Sequence, residues 1–535
     1  MRPESIGCAC QSSCTQRSPP ARRVPLGNKG RDVVHHLPFS RGAYQPSPDL
    51  SASVAFRTIC GDSFRTLALA WGIARMTVAH PRSSVRRVRG HDALRRQLAT
   101  SFFFTLLLLS SLIPGRFDLS TDVLGIPVRV LDLLLVILLA MLVFFRVRQG
   151  RGSQTTINHV PAVFSGLFAY AALSLVWWSP VTEPDTSAMA WTLLLSAACL
   201  WTGYLVVRFQ EEELHRFMSS LTSFVAAIAA IYSAQSFLDL GFRSASNAAP
   251  DPLFGIDRVR GPLFGASTGG VVLIPAIAFA LQEVIAGRSR RRNGLVLAVL
   301  LAACFGTGSR AALLGLGVLV AISAFSLRST RQRRVLGVAT LMIGGLAGWL
   351  FFSTLSSERL LTLDDAERAM TIQTGANAIA QAGIGENILG LGYGSYWRWY
   401  LVDAKGEGSA SFTEFVVVRP AGVTLYHPHS TLLLLLVELG IPGLAAGLWL
   451  TWAIWRSRKS SVQKNMPTIM FAGLAGSAVT FATDLLIFKA PGQSLIWWTY
   501  VLGAMALVDR PPTIERGCGT SHVSAGGQAG IRGCP

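Results

Sequence analysis

Charge is what this sequence has least of: 14% of its 535 residues are Asp, Glu, Lys or Arg, against roughly 25% in soluble globular proteins. With 51% hydrophobic residues and a mean hydropathy of +0.43, that shortage excludes an ordinary soluble enzyme and a disordered chain. Lysine is scarcer still, 5 against 43 arginines, which reads as a G+C-rich coding bias rather than a functional choice. Cysteine is sparse and badly placed for a framework. Cys8, Cys10, Cys14, Cys60, Cys518 and Cys534 lie in the tails, and Cys199 and Cys304 lie in apolar runs. No zinc or disulfide spacing joins them, and no metal or cofactor is expected. A net charge of +19 could by itself signal nucleic acid. The basic residues, however, gather in short clusters between long apolar runs, the pattern of a polytopic membrane protein whose partner is the lipid bilayer and not nucleic acid.

The expected architecture is all-α, an integral membrane protein of about 12 spans, each needing about 20 apolar residues. The spans fall at 97–114, 128–145, 160–178, 189–207, 217–238, 262–286, 294–308, 311–327, 335–352, 441–456, 468–488 and 493–508. Residues 1–96 form a basic tail and 509–535 a second, cytoplasmic one. Residues 1–75 lack sustained periodicity, and Met76, followed by an arginine-rich stretch and an apolar run, reads as a candidate start. Residues 97–352 carry the first nine spans, 353–429 a large extracytoplasmic loop, and 430–508 a short outer-leaflet helix with the last three spans.

Sidedness follows from charge. Arg146, Arg148 and Arg151 follow the second span, Arg208 and Arg216 the fourth, and Arg288 and Arg290–Arg292 the sixth. Arg328, Arg331, Arg333 and Arg334 follow the eighth, and Arg456, Arg458, Lys459 and Lys464 the tenth. Every cluster follows an even-numbered span, so all are cytoplasmic together. The segment Thr431–Leu439, interrupted by Gly440, Pro442 and Gly443, is half a bilayer long. It reads as a helix dipping into the outer leaflet; the alternative is one long bent helix over 430–456.

The opposite face holds the candidate chemistry. Arg258 and Arg260 stand at the mouth of the sixth span, and Arg310 stands in the short turn Thr307-Gly-Ser-Arg310. A single arginine there could snorkel to headgroups, but several converging guanidinium forks match phosphate oxygens bidentately. In the large loop, Glu367-Arg368 begins a helix predicted through Ile379, and a glycine-rich stretch runs from Glu386 to Tyr396. Gly390, Gly392 and Gly394 permit tight turns or anion-facing amides. His427 and His429 in Tyr426-His-Pro-His-Ser430 precede the short helix. An imidazole there can take a proton from a hydroxyl; equally, Ser430 can simply cap the helix. Glu386, Glu438 and Asp484 could orient His429 or pair an arginine, with structural pairing the commoner use.

The order of these motifs, Arg-x-Arg-Gly, Ser-Arg-Ala, an arginine followed by the glycine-rich turn, His-Pro-His-Ser and Glu438-Leu-Gly-Ile-Pro-Gly443, resembles the O-antigen ligase and polymerase superfamily over residues 97–508. The resemblance implies a bacterial inner-membrane transferase with its site on the periplasmic side. Its donor would be a glycan on undecaprenyl diphosphate, its acceptor a glycan or lipid-core hydroxyl, and it would need no metal. Other polysaccharide-assembly membrane proteins are implied partners. By the same resemblance His429 would be the base, Arg310 and Arg368 would be catalytic and hold the diphosphate with Arg258 or Arg260, and His427, Glu386 and Glu438 would support. Two departures stand: Ser430 replaces the frequent Asn, and no tryptophan follows Arg368 at helical spacing. A polymerase shares the site and differs only in acceptor, and a lipid or glycan transporter is the more distant alternative.

Overall fold

Long apolar runs with few helix breakers fold as helices, and helices dominate the computed structural model. It describes residues 88–112, 120–123, 126–149, 159–176, 183–184, 186–238, 259, 261, 263, 269–327, 334, 336–337, 376, 379–380, 383–396, 416–419, 422–425, 430–463, 469–482 and 491–509. Residues 1–87 and 510–535, the ninth span apart from 336–337, and most of the large loop lie outside the described residues, all of which belong to the unit Thr77–Pro535; the expected N-terminal tail is corrected at its end, because residues 88–96 are already helical.

In chain order, α1 spans Val88–Leu112, α2 Val130–Gln149, α3 His159–Ser174, α4 Thr186–Phe209 and α5 Leu214–Leu238. Next come α6 (Gly269–Ile285), α7 (Arg290–Gly306), α8 (Arg310–Ser326) and the short α9 (Ile384–Leu389). The chain closes with α10 (Thr431–Gln463), α11 (Ile469–Val479) and α12 (Pro491–Asp509). The stretches Val130–Val147, Met189–Phe209, Glu211–Ser236 and Thr431–Ser457 are long and apolar enough to cross a membrane. Among the described residues, five short strands qualify the all-α expectation. β1 (Ser120–Val123) and β2 (Ile126–Arg129) form a hairpin before α2. β3 (Glu183–Pro184), β4 (Val416–Arg419) and β5 (Gly422–Leu425) make an antiparallel sheet in the order β3-β5-β4.

The centre is α6, buried on every face from Gly269 to Glu283 and packed against α5, α7, α8, α11 and α12. Small residues allow these close crossings: Gly270 lies against Ala312 and Thr480, Gly473 against Ala278, and Gly315 against the Gly476 backbone. An aromatic cluster of Phe164, Phe481, Trp497 and Trp498, with ring centroids 4.8–4.9 Å apart, seals α3 and the 480–482 turn after α11 onto α12.

The helices bring their basic residues to one end. Arg96 pairs with Glu212, Arg208 with Glu211 at 3.1 Å, and Arg216 with Glu213 at 3.7 Å. The Gln210 amide donates to the Thr100 hydroxyl at 2.6 Å, and Arg95 lies 6.0 Å from the Phe145 ring, next to Arg146. Glu283, at the end of α6, meets His215 at 2.9 Å and Arg288 at 3.4 Å. The start of α1, the ends of α2, α4 and α6, and the starts of α5 and α7 therefore share one end, as expected for the clusters after the second, fourth and sixth spans.

Candidate functional site

At the opposite end, two local structures gather the candidate residues that are described. The first is the turn between α7 and α8. Gly308 adopts φ +60°, a left-handed geometry that favours glycine. The Ser309 hydroxyl caps α8 by accepting the Ala312 N–H at 3.2 Å, and Thr307 Oγ1 accepts the Ser309 N–H at 3.3 Å. Arg310 is therefore the first residue of α8, and it is exposed. A cation there opposes the helix dipole, so an anion near Arg310 is favoured by both the guanidinium and the helix end. Val259, between Arg258 and Arg260 in sequence, donates its N–H to the Gly306 carbonyl at 2.8 Å. Leu263 donates to the Tyr232 hydroxyl at 3.1 Å, and that hydroxyl donates to the Ser111 carbonyl at 2.6 Å. Val259 and Leu263 are thus tied to α7, and to α5 and the end of α1, with Gly306 four residues from Arg310.

The second structure is the glycine-rich turn. Gly390, Gly392 and Gly394 have φ of +86°, +100° and +98°, so each alternate residue turns the chain left-handed. The turn wraps Glu438, which is fully buried. Glu438 Oε1 accepts the N–H groups of Gly394 at 3.2 Å and Tyr396 at 3.0 Å, while its carbonyl accepts Gly392 N–H at 3.0 Å and that of Val437 accepts Leu391 N–H at 2.8 Å. The expectation of anion-facing amides takes a specific form here: the anion is the chain's own carboxylate. Ser174 Oγ accepts the Tyr393 N–H at 2.9 Å, the Tyr393 and Thr192 hydroxyls meet at 3.3 Å, and Tyr170 donates to the Leu389 carbonyl at 2.5 Å. Burial, and after it the Glu438 charge, push the Tyr396 phenol above its usual range, so it stays protonated. Glu386 accepts the Gly383 N–H at 2.8 Å and so closes the first turn of α9. Ser174 and Thr192 escaped sequence reasoning, since each sits in or beside an apolar run with no motif around it; Tyr393 lay inside the glycine-rich stretch, where only the glycines drew notice.

Between these structures, α10 is not one rod. Gly440 breaks it with φ +59° and ψ −147°. A methyl group on Gly443 would collide with the Leu435 carbonyl, and one on Gly447 would lie 3.2 Å from Leu435 Cδ1 and 3.6 Å from Leu432 Cδ2. In a straight helix, residues 12 apart are separated by about 18 Å. The limbs 431–439 and 441–463 therefore fold back as a hairpin, which decides against the long bent helix. Glu438 and Gly440 form its tip, held by the glycine-rich turn. Ser430 Oγ accepts the Leu433 N–H at 3.3 Å, capping the first limb about 13 Å below the tip. An apolar cavity of about 150 Å³, lined by Thr431, Leu435, Ile454, Trp455, Phe471 and Phe481 among others, opens beside that foot.

Arg258, Arg260, Arg368, His427, His429 and Asp484 lie outside the described residues. β3 and β5 nonetheless bind the 183–184 loop to the strand that ends four residues before His429: Glu183 pairs with Val423 and Pro184 with Gly422. No family model matches the chain, and no curated protein matches it.

Proposed function

We propose that the protein is a membrane glycan transferase of the O-antigen ligase kind, moving a glycan from undecaprenyl diphosphate to an acceptor sugar hydroxyl outside the cytoplasm. What supports this reading is the gathering of the α7–α8 turn, the 259–263 segment and the hairpin tip at the end of the bundle away from its basic clusters. In this reading Arg310, Arg368 and an arginine of 258–260 clamp the donor diphosphate. His429 takes the proton of the acceptor hydroxyl as its oxygen attacks the anomeric carbon. The C–O bond to the diphosphate breaks, and the departing anion is held by fixed positive charge. A diphosphate is a weak base, so it leaves without a proton donor. Direct displacement inverts the anomeric carbon. Glu438 takes no part in the chemistry; it fixes the tip.

The test is direct. Purified protein is incubated with an undecaprenyl-diphosphate glycan and either a lipid-core sugar or a second lipid-linked repeat, and the products are analysed by mass spectrometry. Transfer to the lipid-core sugar is the expected result, and transfer to the second repeat alone would reassign the protein as a polymerase. His429→Ala is expected to lower turnover by about 100- to 10,000-fold, the range of a general base, with membrane insertion intact. Wild-type turnover in that variant removes the histidine from its role.

A further inference from the structure

The basic end of the bundle carries a charge imbalance that the proposed transfer does not use. Glu211, Glu212, Glu213 and Glu283 are each matched there by a cation: Arg208, Arg96, Arg216 and Arg288. Arg288 NH1 lies 2.6 Å from His215 Nε2 as well as 3.4 Å from Glu283, so its charge is committed. Three arginines remain at the start of α7. Arg290, Arg291 and Arg292 are exposed, and among the described residues none has an ion-pair partner; Arg292 donates only to the neutral Ser223 hydroxyl at 2.9 Å. From residue 284 to residue 310 the sequence holds no acidic side chain.

What lies on the next turn of the helix selects the partner. Leu295 is 68% exposed and stands four residues after Arg291, on the same face of the helix. An exposed guanidinium above an exposed aliphatic side chain matches a phospholipid, phosphate above acyl chain, and not a free anion or a nucleic acid. The first-turn amides of α7 add to the fit, because Ser289, at φ 42°, offers no side-chain cap. We infer that Arg290, Arg291 and Arg292 form a binding site for the headgroup of an anionic phospholipid at the membrane surface where α6 ends and α7 begins.

The experiment is native mass spectrometry of the full chain in detergent, titrated with phosphatidylglycerol, phosphatidylcholine or inorganic phosphate. Each arginine near a charged membrane surface contributes about fivefold in affinity, so Arg290→Gln with Arg291→Gln and Arg292→Gln should weaken phosphatidylglycerol binding roughly a hundredfold. Phosphatidylcholine binding should stay unchanged. The control triple, Arg456→Gln with Arg458→Gln and Lys459→Gln, removes equal charge elsewhere and should change little, and lysine at all three α7 positions should restore most of the binding. Equal losses in the two triples would reduce the effect to net charge and overturn the site, as would phosphatidylcholine or phosphate binding as tightly as phosphatidylglycerol.

Discussion

Glu438 shows how one side chain can organise a segment far from it in sequence. Its Oε1 takes two amides from residues 42 and 44 positions away, in a place sealed from water. Glu438→Ala leaves both N–H groups buried and unsatisfied, at about 1–3 kcal/mol each, so thermal unfolding in detergent should fall well below wild type. Glu438→Gln keeps a carbonyl acceptor and should fall much less; equal losses would mean that the amides are not held by this oxygen. Arg310 calls for a different contrast. Arg310→Lys keeps the charge but loses the fork, and one lost charge-assisted bond, about 1.5–3 kcal/mol, should lower transfer roughly tenfold to a hundredfold with stability unchanged. Unaltered transfer would place the diphosphate elsewhere. At this scale the sequence was partly legible. Ser430 was readable as a cap because serine before an apolar run has few other uses there. The partner of Glu438 was not readable, because nothing in its neighbours points to residue 394.

Among the elements, the hairpin of α10 depends on glycines that do different jobs. Gly440 supplies the left-handed turn, and Gly443 the close approach, since any β-carbon there meets the Leu435 carbonyl. Gly447 faces only the movable ends of Leu435 and Leu432. Gly443→Ala should therefore destabilise by about 1–3 kcal/mol through overpacking. Gly447→Ala should be neutral or slightly stabilising, because alanine is the better helix former by about 1 kcal/mol. Unfolding of the two variants side by side checks the fold-back: a straight helix would give them the same small effect. The sequence showed the interruption but allowed either a dip or a bend. Glycine and proline mark where a helix breaks, while the direction taken afterwards is set by packing. The short strands were missed for a related reason: β3 is two residues long and exists only because β5 lies beside it.

For the whole molecule, the prediction concerns its two ends. Ser289 and Arg310 flank α7 and are separated by roughly 25–30 Å along the helix axis. With the native cysteines replaced by serine, Arg310→Cys should react with a membrane-impermeant maleimide added to intact cells, and Ser289→Cys only after the cells are permeabilised. Labelling of both from outside would mean that α7 does not cross, and both the transferase reading and the phospholipid site would lose their frame. Because Glu183 and Val423 are paired, Glu183→Cys with Val423→Cys should form a disulfide on mild oxidation, locking the 183–184 loop to the strand that leads toward His429. Failure to cross-link would separate the two segments.

The sequence by itself located most of the apolar helices among the described residues and put the basic clusters after the second, fourth and sixth spans together. A bilayer imposes length and charge rules on each segment separately, and such rules can be read one window at a time. Only the tertiary structure decided that α10 doubles back, that the glycine-rich turn closes on Glu438, and that Val259 is tied to the α7–α8 turn. Those outcomes rest on hydrogen bonds and close contacts between distant positions, and neither hydropathy nor periodicity carries information about which distant partner a residue will meet.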